Sequence, residues 1–144
     1  MNKLYIEFED IEAPPFYNYN KFRSWVDIIA EHYNRRIGKL SFIYCNDQKI
    51  LDVNREFLEH DYYTDVITFD YCRRNILSGD VYVSVDTVKS NSELFNTTFE
   101  EEFCRVFCHA ILHLIGFKDK CKEDAIEMRS NEAICLELLK KVGV

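Results

Sequence analysis

One segment near the C-terminus, residues 98–116, constrains the fold more than any other part of the chain. Thr98 and Glu101 have the spacing of a capping box, in which each residue hydrogen-bonds the backbone of the other at the start of a helix. The glutamates at 100–102 fall in the first turn, where the helix dipole favours negative charge. Gly116 is the residue type that most readily ends a helix in a left-handed conformation. The segment therefore predicts a long helix with defined ends, whose apolar stripe must be covered by other elements.

The rest of the chain alternates between strand-like and helix-like patterns. Alternating or β-rich segments predict strands at 3–9, 39–45, 64–71 and 81–88, and apolar residues at helical spacing predict helices at 21–33, 50–60 and 123–142. The order of these elements predicts an α+β (mixed α/β) fold, with a small, mostly four-stranded sheet covered by about four helices. Because the chain has no repeat, low-complexity stretch or Pro/Gly-rich linker, residues 1–144 are predicted to form a single domain.

The composition limits the environment and the partners of the protein. The chain has 144 residues and a formal net charge of −7, so binding of a nucleic acid requires a local basic patch. No apolar run approaches the roughly 18 residues that a membrane helix needs, so no membrane association is expected. The N-terminal sequence lacks the apolar core of a signal peptide, which predicts a cytoplasmic protein. The six cysteines are then expected to be reduced, mostly buried thiols.

Two histidines on the predicted helix are spaced as metal ligands. His109 and His113 are four residues apart, which places their side chains about 6 Å apart on one helix face, at the edge of the apolar stripe. A chain reversal at Gly116 would bring Asp119 back toward them. Two nitrogens and one carboxylate would then hold one ion, expected to be Zn²⁺, and leave a coordination position for water. A plain helix–turn–helix with a glycine cap also explains the same residues without any ion.

Neighbouring residues narrow the chemistry of this candidate site. Cys104 and Cys108 are also four residues apart, but they face a different side of the helix and are interpreted as core or partly buried structural thiols. Cys121 lies just past the turn and is left open as a further ligand, since it could reach a metal. Metalloproteases of the His-Glu-x-x-His type carry a glutamate base directly after the first histidine, where this chain has Ala110. A peptidase mechanism is therefore not expected.

Three segments resemble the YbeY family of bacterial endoribonucleases, also called rRNA maturation factors. The hallmark H-G-x-L-H-L-x-G-Y-D-H is similar to HAILHLIGFKD at 109–119. An asparagine-led helix followed by D-x-x-T-D-V-L-S-F is matched by Asn54, by Asp61 and by TDVITF at 64–69. The G-D-I entry to a strand is matched by Gly-Asp-Val at 79–81. The resemblance extends over residues 40–135, most of the chain.

This resemblance implies metal-dependent cleavage of single-stranded RNA, in the maturation of the 3′ end of small-subunit rRNA and in ribosome quality control. It implies RNA, the small ribosomal subunit and its assembly factors as partners. The candidate RNA contacts are nearby cations and aromatic rings, which bind phosphate and stack on unpaired bases. They are Arg73, Arg74, Lys118, Lys120, Lys122, Tyr62, Tyr63 and Tyr71. An ordinary solvated or partly buried surface explains these side chains equally well.

The chain departs from the family pattern at two positions. The third histidine of the family falls on Asp119, and a carboxylate shifts the preference of the site somewhat toward harder ions. The arginine of the asparagine-led helix falls on Leu58, and Arg55, three residues earlier, is the candidate catalytic residue in its place, although a solvated surface arginine is the simpler interpretation. These departures and the acidic charge leave an alternative open, which is a ribosome-assembly binding factor whose metal site is mainly structural.

Overall fold

The structure is a computed structural model that describes residues 3–57 and 66–142, and these residues form one four-stranded sheet and five helices. In chain order the strands are β1 (Lys3–Phe8), β2 (Arg36–Cys45), β3 (Val66–Asp70) and β4 (Ile76–Ser84). The helices are α1 (Tyr19–His32), α2 (Asp47–Phe57), α3 (Val85–Leu94), α4 (Phe99–Ile115) and α5 (Lys122–Leu139). The predicted α+β class is confirmed.

The strands lie in the order β1-β2-β4-β3, so β4 is an inner strand. β1 pairs with β2 in parallel, β2 pairs with β4 in parallel, and β3 is antiparallel to β4. Gly79 of β4 lies where β3 passes close by, because a Cβ added there would be only 2.5 Å from the Phe69 carbonyl oxygen. The same Cβ would lie 3.4 Å from the Leu114 side chain, which packs the last turn of α4 closely onto the sheet.

The two faces of the sheet bury different clusters, because successive side chains of a strand point to opposite sides. Phe42 of β2 faces the main core, which α1, α4 and α5 share, and its ring stacks on Phe107 of α4 with centroids 4.4 Å apart. Cys45 and Ile67 face the other way and pack with Ile50 of α2. The helix with the two histidines therefore covers one face of the sheet, and α2 covers the opposite face.

The structure differs from the prediction of a strand over 81–88. β4 ends at Ser84, and residues 85–88 form the first turn of α3. Ser84 caps this helix by accepting a hydrogen bond from the Thr87 backbone N–H at 3.2 Å. The hydroxyl of Thr87 donates to Asp47 at 2.7 Å, and Ser84 also donates to this carboxylate. The cap and the contact with α2 therefore override the strand preference of the β-branched residues.

The remaining predicted elements agree in kind and differ at their ends. The predicted helix 50–60 begins earlier, at Asp47, and the predicted helix 123–142 is α5, which ends at Leu139. Residues 58–60 of the first and residues 64 and 65 of the predicted strand 64–71 lie outside the described residues. Among the helices in the described part of the chain, none is long and apolar enough to cross a membrane.

Candidate metal centre

Both ends of α4 are formed by the residues that the sequence indicated. The Thr98 hydroxyl accepts a hydrogen bond from the Glu101 backbone N–H at 3.1 Å, and the Glu101 carboxylate accepts one from the Thr98 N–H at 3.4 Å. At the other end, Gly116 has a φ of 127°, a conformation that residues with a side chain rarely adopt. The Phe117 N–H then donates to the Leu112 carbonyl at 3.0 Å. This reversal directs the following residues back toward the two histidines of the helix.

His109, His113 and Asp119 come together as the sequence predicted. The Asp119 Oδ2 atom is 3.4 Å from His109 Nε2 and 3.5 Å from His113 Nε2, and the three ligand atoms lie within 4.8 Å of one another. A tetrahedral ion with ligand distances of about 2.0–2.1 Å holds its ligand atoms about 3.3–3.4 Å apart. The two distances to Asp119 are therefore close to those that one ion requires, and the group could bind a metal ion.

The orientation of His109 is set by Glu132 of α5. Glu132 Oε2 is 2.6 Å from His109 Nδ1, and only 4% of Glu132 is exposed. A carboxylate accepts hydrogen bonds, so Nδ1 carries the proton of the neutral ring and donates a hydrogen bond to Glu132. The lone pair is then on Nε2, the atom that faces Asp119. A metal-binding histidine is held in this way by a carboxylate behind it, which fixes both its tautomer and its ring.

Glu132 belongs to a larger buried ionic network on α4 and α5. Arg105 donates to Glu132 at 3.2 Å and also grips Glu102 with two hydrogen bonds, of 2.9 and 2.7 Å. Glu102 is 2% exposed, although the sequence assigned it only to the helix dipole. The spacing of Glu102, Arg105 and His109 along one helix face hinted at this network, but Glu132 is 23 residues from His109, and no local pattern connects the two.

The electrostatics of the site favour the protonation states that bind a metal. Burial and the neighbouring His109 ring lower the pKa of His113, so its imidazole stays neutral more readily. Burial raises the pKa of Glu132, but the hydrogen bond from His109 and the charge of Arg105 outweigh it and hold the pKa below its usual range. Glu132 is therefore ionised and remains an acceptor for the His109 ring.

The cysteines have other places in the structure. Cys104 and Cys108 are buried in the main core, as predicted, and burial raises the pKa of both thiols. Cys121 is exposed and caps α5, with its sulfur accepting a hydrogen bond from the Asp124 N–H at 3.4 Å. Over residues 3–57 and 66–142, the one group of three or more potential ligands is that of the two histidines and Asp119. Cys121 is not a member of it.

The predicted RNA contacts fall on different parts of the surface. Three exposed lysines flank the site on the segment around Asp119, at 118, 120 and 122. Tyr71, Arg73 and Arg74 are exposed on the connection between β3 and β4. Arg55 is exposed in the last turn of α2, the helix on the opposite face of the sheet from α4, and its catalytic role stays a prediction. Leu58, Tyr62 and Tyr63 lie outside the described residues.

An α+β fold with an open cluster of two histidines and one carboxylate defines a candidate metalloenzyme. The family model described as "Endoribonuclease YbeY" matches residues 6–140, and the chain belongs to the YbeY family. An endoribonuclease YbeY of Bacteroides fragilis is 51% identical over 114 residues, 78% of this chain and 82% of that protein. Another, of Parabacteroides distasonis, is 45% identical over 131 residues, 91% of this chain and 92% of that protein. The solution structure of a Thermotoga maritima protein superimposes with a TM-score of 0.68 and 26% identity, over 94% of this chain and 88% of that one.

Proposed function

We propose that this chain is a metal-dependent endoribonuclease that cleaves single-stranded RNA, in the maturation of the 3′ end of small-subunit rRNA and in ribosome quality control. The observation that carries the proposal is the open cluster of His109, His113 and Asp119 in a chain of the YbeY family. The proposal includes a single domain over residues 1–144, a cytoplasmic location, and the small ribosomal subunit and its assembly factors as partners.

The proposed cofactor is one Zn²⁺ ion. Two imidazole nitrogens and one carboxylate oxygen are a donor set that zinc accepts, and three protein ligands leave a position for water or substrate, as in catalytic zinc sites. The carboxylate of Asp119 also suits a harder divalent ion, so the proposal is tested against Mn²⁺. When bound, the ion supplies a Lewis acid for a phosphoryl oxygen and lowers the pKa of water.

The side chains around the cluster have distinct proposed roles. Glu132 holds the His109 ring with Nε2 toward the ligand position. His113 and Asp119 are 29% and 41% exposed, so the cluster is open to a substrate as large as RNA. The exposed lysines on the segment around Asp119 supply the local positive charge that an acidic protein needs to attract phosphates. Arg55 is proposed to place a further positive charge beside the negatively charged phosphodiester.

The test uses single-stranded RNA with a fluorophore at one end and the purified full chain. The metal-free protein is prepared with a chelator and reloaded with Zn²⁺ or Mn²⁺, and the products are separated on a denaturing gel. We expect cleavage by the reloaded wild type, and a loss of at least a hundredfold in the rate for His113→Ala. The matched control is His32→Ala, a histidine at the end of α1, which is expected to cleave at the wild-type rate.

The outcomes separate the enzyme from the alternative of a binding factor. If the reloaded wild type leaves RNA uncut and His113→Ala behaves identically, the enzymatic proposal is wrong. If chelation unfolds the protein while a folded His109→Ala variant still associates with small ribosomal subunits, the cluster is mainly structural. Arg55→Ala, with Lys49→Ala of the same helix as its control, tests whether the exposed arginine contributes to the cleavage rate.

A further inference from the structure

A cavity of about 590 Å³ opens next to the metal ligands, between α3, α4 and α5. His109 and Asp119 form part of its wall, so the cavity and the candidate metal centre are continuous. Its volume is within the range of about 300–1,000 Å³ that small-molecule sites occupy, and one nucleotide fits such a space. The cavity is therefore a place where part of a substrate can lie while its reactive bond is at the cluster.

The α3 side of this cavity carries an exposed aromatic ring. Phe95 is 56% exposed at the end of α3, where the backbone N–H of Phe95 donates to the Asn91 carbonyl at 2.9 Å. Asn96 follows with a φ of 57°, and the Thr97 N–H donates to the Ser92 carbonyl at 2.9 Å. The backbone that carries the ring is thus held by hydrogen bonds on both sides. An exposed ring on a fixed backbone beside an RNA-cleaving site is a platform on which an unpaired base can stack.

The charges of the cavity wall depend on the metal ion. Glu102, Glu132 and Asp119 contribute three carboxylates, and Arg105 and Arg129 contribute two guanidinium groups, which leaves one net negative charge. A divalent cation in the cluster would reverse this to one net positive charge. Arg105 is held by the two buried glutamates, whereas Arg129 of α5 is exposed at the rim of the cavity. Arg129 is therefore the cation of this wall that is placed to meet a phosphate.

We propose that this cavity is the subsite for one unpaired nucleotide next to the bond that is cleaved, with Phe95 stacked on the base and Arg129 at its phosphate. This inference rests on the proposed function, because it assigns a part of the RNA to the space beside the cluster. It places the stacking ring on α3, whereas the sequence alone pointed to tyrosines such as Tyr71. The amide of Asn91, which also lines the cavity, can donate to and accept from the edge of that base.

The experiment measures binding separately from cleavage. The probe is a fluorescein-labelled, single-stranded 2′-O-methyl oligonucleotide, and its fluorescence anisotropy is followed with Zn²⁺-loaded full-length protein. We expect Phe95→Ala and Phe95→Leu to raise Kd on the order of tenfold, because both lose the aromatic face, and Phe95→Tyr to bind as the wild type does. Arg129→Ala is expected to raise Kd severalfold and to flatten its dependence on salt.

Matched controls remove the same kind of group elsewhere. Tyr5→Ala removes an aromatic ring that is 48% exposed on β1, and Lys141→Ala removes an exposed positive charge just after α5, so both are expected to bind within twofold of the wild type. Zinc affinity, measured by calorimetry, should be unchanged in all of these variants. The proposal is overturned if Phe95→Ala and Arg129→Ala bind like the controls, or if Tyr71→Ala loses binding instead.

The subsite and the proposed function fail in different ways. If the wild type cleaves RNA and the rate does not depend on Phe95 at subsaturating RNA, the subsite is wrong and the proposed function stands. If the wild type binds the probe through Phe95 but cuts no RNA, binding of a nucleotide in the cavity stands and the proposed cleavage of RNA is wrong. Chelation of the metal should weaken binding of the probe at least fivefold in the wild type, and unchanged binding would contradict the reversal of charge.

Discussion

Replacement of Glu132 by glutamine tests the orientation of the metal ligands most sharply. The substitution keeps the size of the side chain and removes its negative charge. The carboxylate of Glu132 accepts hydrogen bonds from His109 and Arg105, at 2.6 and 3.2 Å. The glutamine amide can also donate to Nδ1, which favours the tautomer that carries its proton on Nε2. That tautomer has no lone pair toward Asp119. The expected result is a weaker metal site in a folded protein.

The expected losses of zinc affinity and of stability in Glu132→Gln follow from the contribution that comparable carboxylates make in other proteins. Loss of a carboxylate behind a metal-binding histidine lowers metal affinity about 10- to 100-fold, or about 1.4–2.7 kcal/mol. The substitution also removes the hydrogen bond between the charged groups of Arg105 and Glu132, and such a bond contributes about 1.5–3 kcal/mol to stability. In a chain of this size that corresponds to a fall in Tm of about 3–12 °C. The two effects are measured separately, by calorimetric titration with Zn²⁺ and by thermal unfolding of the metal-free protein.

Glu102→Gln is the control that separates orientation from stability. Glu102 is as buried as Glu132 and also binds Arg105, but it accepts no hydrogen bond from a histidine in the described part of the chain. Glu102→Gln should lower Tm by about as much as Glu132→Gln does and leave the affinity for Zn²⁺ within twofold of the wild type. Equal losses of affinity in both variants would show that the network acts only through stability. An unchanged affinity in Glu132→Gln would refute the role of Glu132 in positioning His109.

Three further predictions concern the ligands and the thiols. Asp119→Ala should lower the affinity for Zn²⁺ at least a hundredfold in calorimetry, while Asp119→His should restore it, because an imidazole nitrogen is also a good zinc ligand; an affinity in Asp119→Ala equal to that of the wild type would contradict the role of Asp119 as a ligand. In NMR titration of the metal-free protein, the His113 imidazole should titrate below pH 6.5, because burial and the neighbouring ring lower its pKa. The unfolded chain then binds this proton more readily than the folded one, so His113 makes the metal-free fold less stable as the pH falls through 6.5, and a midpoint above 6.5 would contradict this. At pH 8, iodoacetamide should label the exposed Cys121 in the native protein and spare Cys45 and Cys104, whose pKa values burial raises to about 12 and about 11; mass spectrometry of the peptides would contradict this if the buried thiols reacted first.

Local sequence patterns predicted the part of the site that depends on one helix and its ends. The capping box at Thr98, the reversal at Gly116 and the four-residue spacing of the histidines are all short-range features. α4 (Phe99–Ile115) forms between Thr98 and Gly116. Since Asp119 is only six residues from His113, the geometry of the reversal was enough to bring it back. The cluster of His109, His113 and Asp119 could therefore be predicted from the sequence.

The features that the sequence did not reveal depend on contacts between distant residues. Glu132 reaches His109 only because α5 packs against α4, and the buried position of Glu102 follows from the same packing through Arg105. The start of α3 depends on the cap by Ser84 and on its contact with α2, which outweigh the strand preference of the sequence at 85–88. The order of the strands is likewise a property of the assembled sheet.

His109, His113 and Asp119 are proposed to bind a single ion together. Elemental analysis by mass spectrometry, on metal-free protein reloaded with Zn²⁺ and then dialysed, measures this most directly. We expect one zinc per chain in the wild type and less than one tenth of that in folded His113→Ala. A wild type that retains no zinc, or a His113→Ala variant that retains as much zinc as the wild type, would contradict this proposal.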